Sequence, residues 1–287
     1  MGGALVKKIK VITDTTSDIS LEIANKYNID LLGQNISFGD ETFVETLELN
    51  AEDFYDKLVS FDGVPKTSQV NITKITEMFE KYYKDYKILY ITISSKASGT
   101  NQTANLAKNM FLEEHDDADI TIYDGYSLSL GYGRLALVAA QMANDGKDLD
   151  EIIKKIDYLK EKTKILFAVD TLDYLEKGGR ISPTTKIIGN VLDIKPILTI
   201  ANGLVESFDK VRGMKKIYSK FADIMKDEID TEHTVYILHA VASDKVEKLK
   251  EKIDGIVDLN NVEVASIGGT VGTNTGPGAI GIIYITK

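Results

Sequence analysis

The sequence predicts an α/β fold in two domains, the first around a mainly parallel, helix-covered sheet and the second around a mixed α/β sheet. Three observations carry this. Short apolar runs alternate with amphipathic helical stretches through the first half, as parallel βαβ units require. The second half instead carries two hairpin-like pairings, one of them around Asn202-Gly203. A chain of 287 residues is also at or above the length where single cores split. The pattern places the boundary near 163/164, giving an N-terminal domain 1–163 that carries hydroxyl-rich loops and a C-terminal domain 164–287.

KIKVITD (8–14) reads as a parallel strand. A helix follows, with Ser17 or Asp18 as N-cap and Ile19, Ile23 and Tyr27 on its apolar face. Residues 29–45 alternate as short strands about a Gly-Asp turn. Residues 50–61 form a helix capped by Asn50, and 64–86 a loop leading to a helix capped at Asn71. KILYITI (87–93) is a strand, 98–112 a helix, 117–124 a strand, and 127–143 and 148–163 are helices. In the second half, 164–170 is a strand, and the following helix stops at Gly178-Gly179. A hairpin at 195–208, helices at 211–229 and 243–253, and strands at 233–240, 262–269 and 278–286 complete the chain.

Composition is that of an ordinary globular protein, 43% apolar and 27% charged. A net charge of −10 disfavours general binding to nucleic acid or anionic membranes, while leaving room for a local cationic pocket. There is no cysteine, hence no disulfide, thiolate metal site or cysteine nucleophile. MGGALVKKIK is too short in apolar residues for a signal peptide, and Val6 stands where a myristoylation motif wants Ser or Thr. No apolar run reaches the length of a membrane span. The expectation is a soluble, cytoplasmic, monomeric protein.

Polar clusters follow three predicted strands: DTTSD (14–18), SSKASGTN (94–101) and DGYSLS (124–129). Ligands of open parallel sheets bind at that edge. A fourth cluster, KTSQVN (66–71), opens a helix. Helix capping alone accounts for any one of them; three at one sheet edge are harder to dismiss. SSKASGTNQTA (94–104) has a particular capability. Ser98 stands at the start of a helix whose first amides are free and whose dipole is positive there, and Gly99 lets a ligand approach the backbone. Such a place suits a carboxylate or a phosphate, and an over-decorated cap is the plainer account. Arg180, after Gly178-Gly179, can present a guanidinium fork to an anion or simply face solvent. GTNTGPG (272–278) reads as a tight loop or a plain turn.

Other matches fail. GYGRLA (131–136) fits a dinucleotide fingerprint but sits inside a helix, and GPGAIG (276–281) leads into a strand. There is no P-loop. The three histidines, His115, His233 and His239, lack metal-binding spacing. A nucleophile at Ser98 or Ser127 lacks both a G-x-S-x-G setting and a local base.

Taken together, ITDTTSD (12–18), VPKTSQVN (64–71), SSKASGTNQTA (94–104), YDGYSLSLGYG (123–133), LDYLEKGGRIS (172–182), DIKPIL (193–198), KVRG (210–213) and GTNTGPGAIG (272–281) resemble the DegV family, including the fatty-acid-binding subunits of bacterial fatty acid kinase. The resemblance runs from about residue 9 to the end. It implies a two-domain α/β fold holding a long-chain fatty acid between the domains or within the second. It implies a carboxylate held by hydroxyls of Thr67, Ser68 and Ser98, with Ser95 nearby, and Arg180 near the head group or on a kinase-docking surface. Asn274 stands where the family usually has histidine. It can hydrogen-bond a carboxylate but cannot be a cation, which bears on phosphorylation competence or lipid preference. Val70 stands where the family favours proline.

The implied role is a substrate holder, not a catalyst. It needs no cofactor beyond the lipid, and its partner is the catalytic subunit of a fatty acid kinase, which brings ATP and metal. Burial of each methylene contributes about 0.8 kcal/mol, and a buried carboxylate needs donors. The rivals are a small-molecule hydrolase or transferase, which would turn over alone, and a stand-alone lipid sensor, which would have no kinase partner.

Overall fold

The computed structural model describes residues 7–183 and 194–287. Residues 1–6, with most of the N-terminal stretch read above, and Asp193 of DIKPIL lie outside the described residues.

The chain opens with β1 (Lys8–Asp14), a 3-10 turn (Thr15–Ser17), α1 (Leu21–Tyr27) and β2 (Asp30–Leu32). Next come β3 (Asn35–Phe38), β4 (Glu41–Val44), α2 (Ala51–Ser60), β5 (Lys66–Ser68) and α3 (Ile72–Tyr82). β6 (Tyr86–Thr92), α4 (Thr100–Glu114), β7 (Ile120–Asp124), α5 (Leu130–Asn144) and α6 (Leu149–Lys162) follow. β1, β2, β6 and β7 form one parallel sheet in the order β2-β1-β6-β7. Its alternation sorts two cores. Val11, Leu89 and Ile91 face Leu135, Ala139, Ile152 and Ile156 of α5 and α6. Ile12, Ile88 and Tyr90 face Ile75, Phe79, Ala107 and Phe111 of α3 and α4. Strands covered on both faces read as continuous apolar runs, which is why β1 and β6 were legible.

From Thr163 the chain builds a second sheet: β8 (Thr163–Ala168), α7 (Asp173–Gly178), β9 (Ile194–Ala201), β10 (Leu204–Arg212), α8 (Met214–Glu228), β11 (Val235–His239), α9 (Ser243–Ile253), β12 (Val262–Ser266), α10 (Gly269–Thr275) and β13 (Ile280–Ile285). The strand order is β10-β9-β8-β13-β11-β12, with only β11 and β12 parallel. Asn202 and Gly203 both take positive φ, 52° and 76°, as a two-residue hairpin turn requires. One face, with Leu166, Ala168, Ile237, Ile280 and Ile282, packs on Phe221, Met225 and Leu249 of α8 and α9. The other face, with Ile165, Phe167, Leu238 and Ile283, joins the core of α5 and α6. The two sheets therefore share one continuous apolar interior.

Four local readings change. The N-cap of α1 is Ser20, whose hydroxyl accepts the Ile23 amide; Ser17 belongs to the 3-10 turn, and Asp18 adopts φ 55° just after it. Residues 66–68, expected as loop, form β5, paired with β3 in a small antiparallel sheet of order β4-β3-β5. Three polar residues show no alternation to announce a strand. β10 extends to Arg212, so the helix expected from 211 begins at Met214, after Gly213 at φ 82°. GTNT, expected in a loop, is the end of α10. Glycine and threonine are poor helix formers, and packing decides instead: Cβ atoms on Gly269 and Gly272 would meet Phe54 at 2.8 Å.

Candidate functional site

The inner face of the second sheet does not close completely on the first half. It leaves a cavity of about 260 Å³. Strand alternation points Ile165 and Phe167 of β8, Ile200 of β9, Leu238 of β11 and Ile283 of β13 into it. Gly281 lies between Phe167 and Leu238 in register. A Cβ there would sit 3.0 Å from the Phe167 Cβ, so the glycine keeps the floor of the cavity open.

The other end is polar. β5 brings Thr67 and Ser68, the loop before α4 brings Ser98 and Gly99, and α10 brings Asn274; Arg180 follows α7. Six of the seven residues expected from sequence therefore line one space. Ser98 Oγ accepts the Thr100 amide at 3.2 Å, a capping bond made one residue ahead of Gly99. Gly99 does expose backbone, but to a neighbour: a Cβ on it would lie 1.9 Å from Gln69 Oε1. The Gln69 amide crosses there and donates to Thr103 Oγ1 at 2.7 Å. Arg180 is exposed and ties two loops together, Nε donating to the Ala97 carbonyl at 3.2 Å and a terminal nitrogen to the Gly178 carbonyl at 2.6 Å. Asn274 packs against Gly178 and donates to the Thr270 carbonyl at 3.1 Å.

Ser95 is the exception. It is exposed, does not line the cavity, and its amide donates to Asp124 Oδ1 at 3.2 Å. The turn after β6 directs it outward and buries Ser94 in its place.

Behind the polar wall lie three carboxylates that sequence reasoning did not assign to the site. Asp14 accepts from Tyr132 Oη at 2.7 Å and from Gln34 Nε2, the Thr16 amide and the Ile93 amide at 3.2 to 3.3 Å. Glu45 accepts the Thr270 amide and hydroxyl at 2.6 and 2.8 Å and the Thr15 hydroxyl at 2.8 Å. Asp18 accepts the Ser129 hydroxyl and, at 2.9 Å, the Gly268 amide. Burial raises Asp14 and Glu45 above the usual carboxylate range; burial and the neighbouring Glu45 charge push Asp18 well above it. Ser129 is held at φ 53°, ψ −149°, a conformation rare outside glycine. DTTSD and DGYSLS had announced Asp14, Asp18 and Ser129 as sheet-edge clusters. Nothing announced Gln34 or Glu45, which the small sheet brings in.

The dinucleotide lookalike GYGRLA proves to be a packing device inside α5. A Cβ on Gly133 would meet the Ser17 carbonyl at 2.3 Å, and one on Gly131 the Ile165 side chain at 2.5 Å. Among the described residues no group of His, Asp and Glu is placed to hold a metal, and no helix is long and apolar enough to cross a membrane.

Fold and cavity define an α/β protein with an amphipathic chamber between a parallel and a mixed sheet. The chain matches the family model described as "Uncharacterised protein, DegV family" over residues 8–287. It is 35% identical over 282 residues to a DegV domain-containing protein of Clostridium acetobutylicum, covering 97% of this chain and 98% of that one. It is similar in structure to a fatty acid binding DegV family protein of Streptococcus agalactiae, with 32% identity, TM-score 0.87, and coverage of 98% of this chain and 100% of that one. It is also similar to DegV, a fatty acid binding protein from Bacillus subtilis, with 29% identity, TM-score 0.85 and the same coverage. The chain belongs to the DegV family.

Proposed function

We propose that this protein binds a long-chain fatty acid, carboxyl group at the hydroxyl-lined end, and presents that group to the catalytic subunit of a fatty acid kinase for acyl-phosphate formation. The carrying observation is the chamber itself: an apolar floor from the second sheet and a single polar end from Thr67, Ser98 and their neighbours. An acyl chain has that polarity, and its methylenes gain about 0.8 kcal/mol each on leaving water. The fatty acid binding relatives share the whole fold.

The kinase half of the reading rests on the family resemblance and on position. Ser68 and Arg180 are exposed yet line the polar end, so that end lies where a second protein can reach it. In this reading the chain shields the acyl group and supplies no catalytic group. The test is phosphoryl transfer: ATP, a fatty acid kinase catalytic subunit and the lipid-loaded chain should yield acyl phosphate. Lipid binding without transfer would leave a lipid carrier or sensor; turnover by the chain alone would make it an enzyme.

A further inference from the structure

The polar end has two layers, and the inner one changes what the outer one can do. Gln34, Ser129 and Thr270 face the cavity, and each donates to a different carboxylate behind it: Gln34 to Asp14 at 3.2 Å, Ser129 to Asp18, Thr270 to Glu45 at 2.8 Å. A hydroxyl has one hydrogen. Once spent on a carboxylate, Ser129 and Thr270 show the cavity only lone pairs. Thr16 differs: it lines the cavity, is 1% exposed, and its Oγ1 is buried without a partner.

Among the described residues no Lys, Arg or His makes a hydrogen bond or ion pair to Asp14, Asp18 or Glu45. The titratable neighbours from the packed elements are tyrosines. Tyr132 of α5 donates to Asp14, Tyr55 of α2 donates to the Ile267 carbonyl, and Tyr90 of β6 feels the Asp14 charge. Arg180 is occupied by the Ala97 and Gly178 carbonyls. A lipid carboxylate entering here would be a fourth negative charge in a low-dielectric space.

We propose that the cavity takes a carboxylic acid together with one proton, shared between the ligand head group and Asp18 through the Ser129 hydroxyl. The proposal deepens the lipid-binding reading and rests on it. Two placements of that proton carry the same net charge. On the ligand, its O–H donates to a Ser129 lone pair. On Asp18, the acid donates to Ser129, which turns its own hydrogen to the ligand carboxylate. Thr16, with its free hydroxyl, donates to the head group in either case. Burial and the Glu45 charge, which raise Asp18 well above the usual carboxylate range and so make it a readier proton acceptor than a free carboxylate, support this.

Calorimetric titration of the full chain with dodecanoic acid at about pH 8, in buffers of different ionisation enthalpy, counts the proton directly. The expected result, as pH is carried upward from there to where Asp18 is ionised in the free chain, is about one proton taken up per acid bound, with affinity falling roughly tenfold per pH unit. Dodecanol, which brings no charge, is expected to bind with no uptake. Asp18→Asn is expected to bind the acid with little uptake. Acid binding with no uptake and a flat pH profile overturns the proposal, and unchanged uptake in Asp18→Asn overturns the placing at Asp18. Failure of both ligands to bind would remove the lipid-binding reading itself, and the proposal with it.

Discussion

Glu45 accepts both the backbone amide and the hydroxyl of Thr270, two residues 225 positions apart in the chain. With Asp18 accepting the Gly268 amide, this fastens the start of α10 to the first half of the protein. α10 in turn carries Thr270, Val271, Asn274 and Thr275 into the cavity wall. The chamber is therefore held shut on one side by two carboxylates, Glu45 buried and Asp18 half-buried, and their neutral donors.

Removing the Glu45 carboxylate leaves the Thr270 amide and two hydroxyls without their acceptor. Glu45→Ala is expected to lower stability by about 3 kcal/mol, the cost of buried orphan donors, as read by urea denaturation. A change within about 0.5 kcal/mol, the range of an ordinary surface substitution, would mean that α10 is held by apolar packing alone.

Stability should also depend on pH in an uncommon direction. Asp14, Asp18 and Glu45 are all raised above their unfolded values of 3.8, 3.8 and 4.5. A raised carboxyl contributes its full stability below the unfolded value and loses it as pH climbs through the folded value. Going from about pH 5 to about pH 8, the wild type is expected to lose stability relative to Asp18→Asn, which cannot ionise there. A wild type that gains on the variant as pH rises would reverse the sign assigned to Asp18.

The head-group assignment is tested by Thr67→Ala combined with Ser98→Ala. Each removes one donor from a partly open wall, about 1 kcal/mol apiece. Together they should weaken fatty acid binding by roughly tenfold to thirtyfold, with far-UV circular dichroism unchanged and stability lowered by only about 1 kcal/mol, the loss of the Ser98 cap on the Thr100 amide. Ser95→Ala, outside the cavity, should change nothing in the same assay. Equal affinity in the double variant would move the carboxyl group elsewhere.

Gly281 sets the floor. Gly281→Ala puts a methyl 3.0 Å from the Phe167 Cβ and takes space from the acyl chain. Affinity for the longest acids should fall about fourfold, the equivalent of one methylene, while shorter acids bind as before. A uniform loss across chain lengths would point to a disturbed sheet instead.

Much of this was legible from residues alone, and the reasons differ by element. Asn50 and Asn71 announced α2 and α3 because a cap acts on its own next few amides. Asn202-Gly203 announced the β9–β10 turn because few residues tolerate its backbone. Thr67, Ser98 and Arg180 were visible as motif members, and the cavity brings them together. What escaped was non-local. β5 exists because β3 pairs with it, and α10 is helical because Phe54 and Tyr55 leave room only for glycines. Glu45 and Gln34 stood in the alternating stretch 29–45 with no motif around them, and only the small sheet gives them their partners. Ser95, one residue along the turn from buried Ser94, shows how little a motif says about direction.

The central claim is that the chamber holds a long-chain fatty acid, and native mass spectrometry of the purified protein, before and after organic extraction, tests it most directly. The account predicts a complex heavier than the bare chain by one long-chain acid, lost on extraction and restored by added palmitate or oleate. A bare chain that takes up neither acid would contradict it.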